Sequence, residues 1–121
     1  MKESKKHVKT FRDFILWQKS HQLVKSVQTL VKHFQYRDVY SIAGRLKHSC
    51  ASATAAIADA FERERVNDKI QILNVSRDLL IESQQHLIQV QELNKCNTRM
   101  ALIESDQVLI LLEAYISALK K

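Results

Sequence analysis

The chain has no proline and a single glycine, Gly44, in 121 residues. An all-β domain of this length needs turn glycines and prolines to reverse between strands. Their scarcity excludes a sandwich or barrel and leaves an all-α chain. One glycine also rules out the glycine-rich loop that cradles nucleotide phosphates. Aromatic residues are few: one tryptophan, three tyrosines and four phenylalanines. Most fall on core stripes, which argues against an exposed platform for stacking bases. The two cysteines, Cys50 and Cys96, lie far apart with no ligand-like neighbours and read as free thiols in a reducing cytosol. No apolar run approaches the roughly 20 residues of a membrane helix; the longest, Val108 to Leu112, has five. The lysine-rich start lacks the apolar segment of a signal peptide. A cytoplasmic protein without membrane attachment is expected.

What the chain has in excess is positive charge, 19 Lys and Arg against 13 Asp and Glu, for a net charge of +6. The excess is uneven. Residues 1–67 carry 13 basic and 6 acidic groups, a net +7, whereas residues 68–121 carry 6 and 7, a net −1. A basic half on a near-neutral half points to one face or end that meets a polyanion.

The apolar pattern divides the chain into a basic N-terminal arm, 1–10, and one four-helix domain, 11–121. A domain of that size can bury a real core. Helix one is expected from about Asp13 to Phe34, with Leu16, Ser20, Leu23, Val27, Leu30 and Phe34 as its seam and Trp17, Val24 and Val31 widening it. Lys19, Lys25 and Lys32 recur near heptad spacing and form a basic row. Asp38 is the expected cap of helix two, about 39–63, which buries Ile42, Leu46, Cys50, Ala53, Ile57 and Phe61. Its many small residues predict close packing against several neighbours. Asn67 or Asp68 is expected to cap helix three, about 68–94, on the stripe Leu73, Leu80 and Leu87. His86 falls on a second stripe as a core or interface residue. Asn97 is expected to cap helix four, about 98–119. Helix four is apolar nearly all round, which predicts an oligomer interface. Short joints make successive helices antiparallel neighbours in an up-down-up-down bundle.

Chemistry is thinly represented. Glu82 and His86 stand four apart, yet no HExxH, CxxC or second ExxH completes a metal site. Asp59 interrupts an alanine-rich stretch; if buried it needs a partner, and Arg45 or Arg63 could serve in a packing salt bridge. No nucleophile elbow or glycine-lined anion hole accompanies Ser, His and Asp. The R-x4-6-H spacing of some small helical ribonucleases is absent, since His48 follows Arg45 by three. The chain reads as a non-enzyme with no metal and no cofactor.

The stretch Phe11-Arg12-Asp13-Phe14-Ile15-Leu16-Trp17-Gln18-Lys19-Ser20 resembles the F-R-D-L-x-V-W-Q-K-A opening of the small four-helix-bundle proteins encoded in bacterial 23S rRNA intervening sequences. The resemblance continues from His48 to Arg63. There Ser52, Ile57, Ala58 and Arg63 match R-x-x-x-S-I-x-x-N-I-A-E-G-x-x-R, and Asp59 stands for the glutamate. Ala56 and Ala60 replace the customary asparagine and glycine. Leu73 and Glu82 fit a further L-x-I-A-x-x-S-x-x-E pattern. The resemblance implies a homopentamer that binds nucleic acid, ribosomal RNA in particular. It also implies kinship with the accessory proteins of diversity-generating retroelements, which bind a reverse transcriptase and its template RNA. Five copies of a +6 chain would carry about +30, so weak phosphate contacts would add through avidity.

The resulting expectation is an RNA-binding homo-oligomer that reads backbone and shape, favouring RNA over DNA. Lys5, Lys6, Lys9, Arg12, Lys19, Lys25, Arg63 and Arg65 are its phosphate contacts. The alternative is a protein-interaction scaffold or accessory subunit of a retroelement reverse transcriptase, whose charge steers a partner protein.

Overall fold

A computed structural model describes residues 9–34, 40–93 and 97–121. The arm residues 1–8, the joint 35–39 with its expected cap Asp38, and residues 94–96 with Cys96 lie outside the described residues. The described chain forms a short 3-10 turn, Phe11–Asp13, and four helices: α1 Ile15–Val31, α2 Tyr40–Glu62, α3 Val66–Glu92 and α4 Arg99–Leu119. Strands are absent among the described residues. Each helix packs on the next and α4 closes on α1, with α2–α3 the most extensive seam. The result is a four-helix all-α bundle.

The expected stripes form the core. Leu16, Leu23, Val27, Leu46, Cys50, Ala53, Ile57, Leu73, Leu80, Leu87, Val108, Leu112 and Ile116 are all at most 7% exposed. A smaller cluster of Phe34, Ile42, Ala43 and Val90 fills one end. Leu30 and Phe61, each in the last turn of its helix, are only partly buried.

Buried hydroxyls stitch the seams. Ser20 and Thr54 join α1 to α2 at 2.6 Å. Thr54 Oγ1 donates its one proton to the Cys50 carbonyl, so Ser20 is the donor between them. On the α2–α3 seam, Ser49 and Ser83 meet at 2.7 Å, and Ser76 Oγ donates to the Ala53 carbonyl at 2.8 Å. These side chains are small enough to let the backbones approach, and each finds a partner in the dry interior.

The helix starts differ from expectation for local reasons. Residues 11–13 do not open α1 but form a separate turn, cut off from it by Phe14 in an extended conformation. α3 begins at Val66 with Arg65 at the N-cap and no side-chain cap bond. Asp68, expected as a cap, sits instead in the first turn, where its charge complements the helix dipole. Thr98 occupies the N-cap of α4, but its buried hydroxyl donates to Gln91 Oε1 at 2.7 Å and ties α4 to α3. Asn97, the expected cap, stands one position out and accepts the Arg99 N–H at 3.1 Å.

α4 is not buried all round. Val108, Leu112 and Ile116 face inward, while Met100 and Ile110 are 69% and 70% exposed. Ile81 and Ile88 on α3 and Ile103 on α4 are exposed as well. α2 likewise keeps an open side, with Gly44, Ala51 and Ala55 exposed.

Candidate nucleic-acid interface

The opening stretch is mostly a fastening device. Thr10 Oγ1 accepts the Arg12 N–H, and Asp13 Oδ2 accepts the Lys9 and Thr10 N–H groups at 3.0 and 3.1 Å. Lys9 and Thr10, expected as the end of the arm, are thereby tied into the turn. Gln18 Nε2 donates to the Arg12 carbonyl at 2.8 Å and locks the turn onto α1. The Phe11 ring meets Trp17 edge-on at 5.1 Å, and Trp17 stacks on His21 at 4.6 Å. The Phe14 ring lies 5.4 Å from that of Phe61 and 5.0 Å from that of Tyr115. Of the stretch's polar side chains up to Gln18, only that of Arg12 faces water without a structural bond among the described residues.

Those ring contacts bring three distant segments to one end of the bundle: the turn, the end of α2 and the end of α4. Lys69 belongs to the same end, where its Nζ donates to the Ala60 and Phe61 carbonyls and satisfies the open end of α2. This end therefore collects Lys9 and Arg12 from the turn, Arg63 and Arg65 from the α2–α3 joint, and Lys120 and Lys121 beyond α4. All six are exposed. Among the described residues no ion pair engages Arg12, Arg65, Lys120 or Lys121. Arg63 is engaged: its Nε and Nη2 donate to the Asp59 carboxylate at 3.1 and 3.3 Å, and these bonds raise its pKa. Asp59 is therefore half in water, paired on the surface, rather than a buried lock between helices.

The remaining predicted contacts separate. Lys5 and Lys6 lie outside the described residues. Lys19 lines a narrow groove between α1 and α4 with Gln22, Glu104 and Gln107, so it faces a carboxylate. Lys25 is exposed further along α1. Lys19 precedes Lys25 by six residues, not seven, which turns it about 120° away from the face that Lys25 and Lys32 share. The expected basic row is therefore two faces. Lys120 and Lys121 were missing from the expected site. Tracing a four-helix up-down path from Arg12 to the chain's last residues would have found them.

Two further places carry polar groups. His86 Nε2 lies 3.3 Å from Glu82 Oε2, and its buried Nδ1 has no partner among the described residues. No cluster of three His, Cys, Asp or Glu side chains occurs among the described residues. Between α1 and α2 lies a half-open cavity of about 370 Å³ over Cys50, with Lys47 and His48 among its walls. Burial, aided by the Glu104 carboxylate, pushes the Cys50 thiol up to about 12 and keeps it neutral. No described helix is long and apolar enough to cross a membrane.

Comparison with known proteins agrees with the fold and the opening stretch. The model of the family described as 23S rRNA-intervening sequence protein matches residues 12–111, and the chain belongs to that family. No curated protein matches it.

Proposed function

We propose that this member of the 23S rRNA-intervening sequence family is a non-enzymatic protein that binds structured RNA through its basic end, as a homo-oligomer of up-down-up-down bundles. The observation that carries the reading is the gathering of six exposed cations from three separate segments around the turn. Five of these, all but Arg63, have no ion-pair partner among the described residues. Exposed cations release counterions from a phosphate backbone and supply affinity without reading sequence; Glu62 and Glu64, exposed beside Arg63 and Arg65, leave the turn and the last two lysines as the most positive part of this end. Aromatic rings offer no competing platform there, since Phe11, Phe14, Phe61 and Tyr115 are all partly buried. The helix order fits the contacts: as α2 falls from Ala53 to Ser49, its partners on α3 rise from Ser76 to Ser83.

Reversing Arg12, Arg65 and Lys120 to Glu in one variant should weaken binding to a structured RNA hairpin by at least about tenfold at 0.15 M salt. The helical content should stay unchanged, because none of the three side chains carries a bond among the described residues. Unchanged affinity would remove this end from the interface.

A protein partner is the second reading, and the exposed apolar residues Ile81, Ile88, Ile103 and Ile110 favour it. Residues seven apart share a helix face, so each pair makes an apolar strip that a neighbouring copy would cover. Ile103→Asp with Ile110→Asp should lower the mass measured by light scattering to that of one 14.1 kDa chain. If the mass stays at that of the unmodified protein, the α4 strip lies outside the assembly contact. An accessory role beside a reverse transcriptase remains the alternative use of such a surface. Co-purification of an oligomer with that enzyme, and not with RNA alone, distinguishes it.

A further inference from the structure

The cavity between α1 and α2 plays no part in the phosphate-binding end. Its volume of about 370 Å³ falls in the range where proteins hold small ligands. Val24 and Ala51 form its accessible apolar walls, with the buried Val27 and Cys50 beneath them. Gly44 completes the α2 wall, and a Cβ there would meet nothing within 4 Å, so this part of the wall is open space rather than a tight seam. The polar groups are Gln28, Lys47 and His48. Each can donate a hydrogen bond, Lys47 is cationic, and no carboxylate lines the cavity among the described residues. An apolar slot edged by donors and a cation suits a flat apolar-faced group joined to an anion.

We propose that the cavity receives one unpaired nucleotide of the bound RNA. Its base lies over Val24 and the small α2 wall of Gly44 and Ala51, the Gln28 amide bonds the base edge, and Lys47 with His48 holds the phosphate. The inference rests on the RNA-binding reading and sharpens it. The basic end holds the backbone, and this slot selects RNA that offers an unpaired position. Recognition of a splayed base in a pocket is a general means of reading non-duplex RNA. An aliphatic side chain from a second copy would fill the same space but leave Lys47 and Gln28 without use.

The test compares a blunt RNA duplex with the same duplex carrying one bulged nucleotide. The unmodified protein should bind the bulged RNA about tenfold more tightly, the size of one good base contact. Gly44→Leu fills the slot from an exposed helical position, so the fold should survive. It should bind the blunt duplex unchanged and lose the preference, and Lys47→Gln should reduce it. Adenosine monophosphate should shift the methyl resonances of Val24 and Val27 in the unmodified protein and not in Gly44→Leu. Equal binding of both RNAs, or a preference that survives Gly44→Leu, would overturn the slot while leaving RNA binding intact. Methyl shifts with hexanoate and none with the nucleotide would overturn it in favour of an aliphatic acid. A changed oligomer mass in Gly44→Leu would overturn it in favour of a contact between copies. Binding of neither RNA would remove the RNA reading and this inference together.

Discussion

Cys50 shows how one buried side chain makes stability depend on pH. It is wholly buried, and desolvation pushes its thiol up from 9.0 to about 12, with the Glu104 carboxylate adding to the rise. The unfolded chain releases this proton near pH 9 and the folded chain near 12. The stabilising contribution is thus complete below pH 9 and is lost as the pH rises through that window. Urea titrations at pH 8 and 10 should show a loss of stability that is smaller in Cys50→Ala. An equal loss would place the dependence elsewhere, for example on Tyr115, whose hydroxyl burial also raises. The opening motif mixes fastening and functional residues. Its residue types marked a functional N-terminus, but Phe11, Asp13, Phe14 and Gln18 are spent on fastening the turn. Among its described polar side chains up to Gln18, that of Arg12 alone carries no bond within the fold.

The helices were legible where periodicity speaks and illegible where capping geometry decides. Leu73, Leu80 and Leu87 repeat every seven residues, and burial follows that repeat because one helical face must leave water. The starts of α3 and α4 obey no such rule. Arg65 and Thr98 take the N-cap positions and neither makes a side-chain cap bond; Thr98 is held there by its bond to Gln91 across the seam. The spacing of Thr10 and Asp13 was a readable sign of a capped turn. The small residues of α2 predict close packing against several neighbours, and α2 does pack on α1, α3 and the turn. They also leave an open wall, with Ser49 buried and Ala51 exposed. The seam can be tested at Ser83, which is 1% exposed and meets Ser49. Ser83→Ala should cost about 1 kcal/mol or less, because Ser49 keeps its bond to the Leu46 carbonyl. Ser83→Leu should cost roughly 1–3 kcal/mol by forcing α2 and α3 apart. Thermal melts of the two variants measure the difference, and equal costs would mean that the seam has slack.

The assembled bundle makes a site that no stretch of sequence contains. Arg12, Arg65 and Lys120 are more than 50 residues apart along the chain, and the packing of α2 and of α4 on α1 brings their segments to one end. The surplus of positive charge was visible in the first 67 residues. Its focus was not, because Lys120 and Lys121 belong to the half with a net charge of −1. The direct measurement is the affinity of the full chain for a structured RNA hairpin across a salt series. We predict binding at 0.15 M salt, with log affinity falling linearly as log salt rises and a slope of about −0.7 to −0.9 for each phosphate neutralised. The Arg12, Arg65 and Lys120 triple charge reversal should flatten that slope by roughly two or more. No binding at 0.15 M salt, or a slope the triple variant leaves unchanged, would contradict the account.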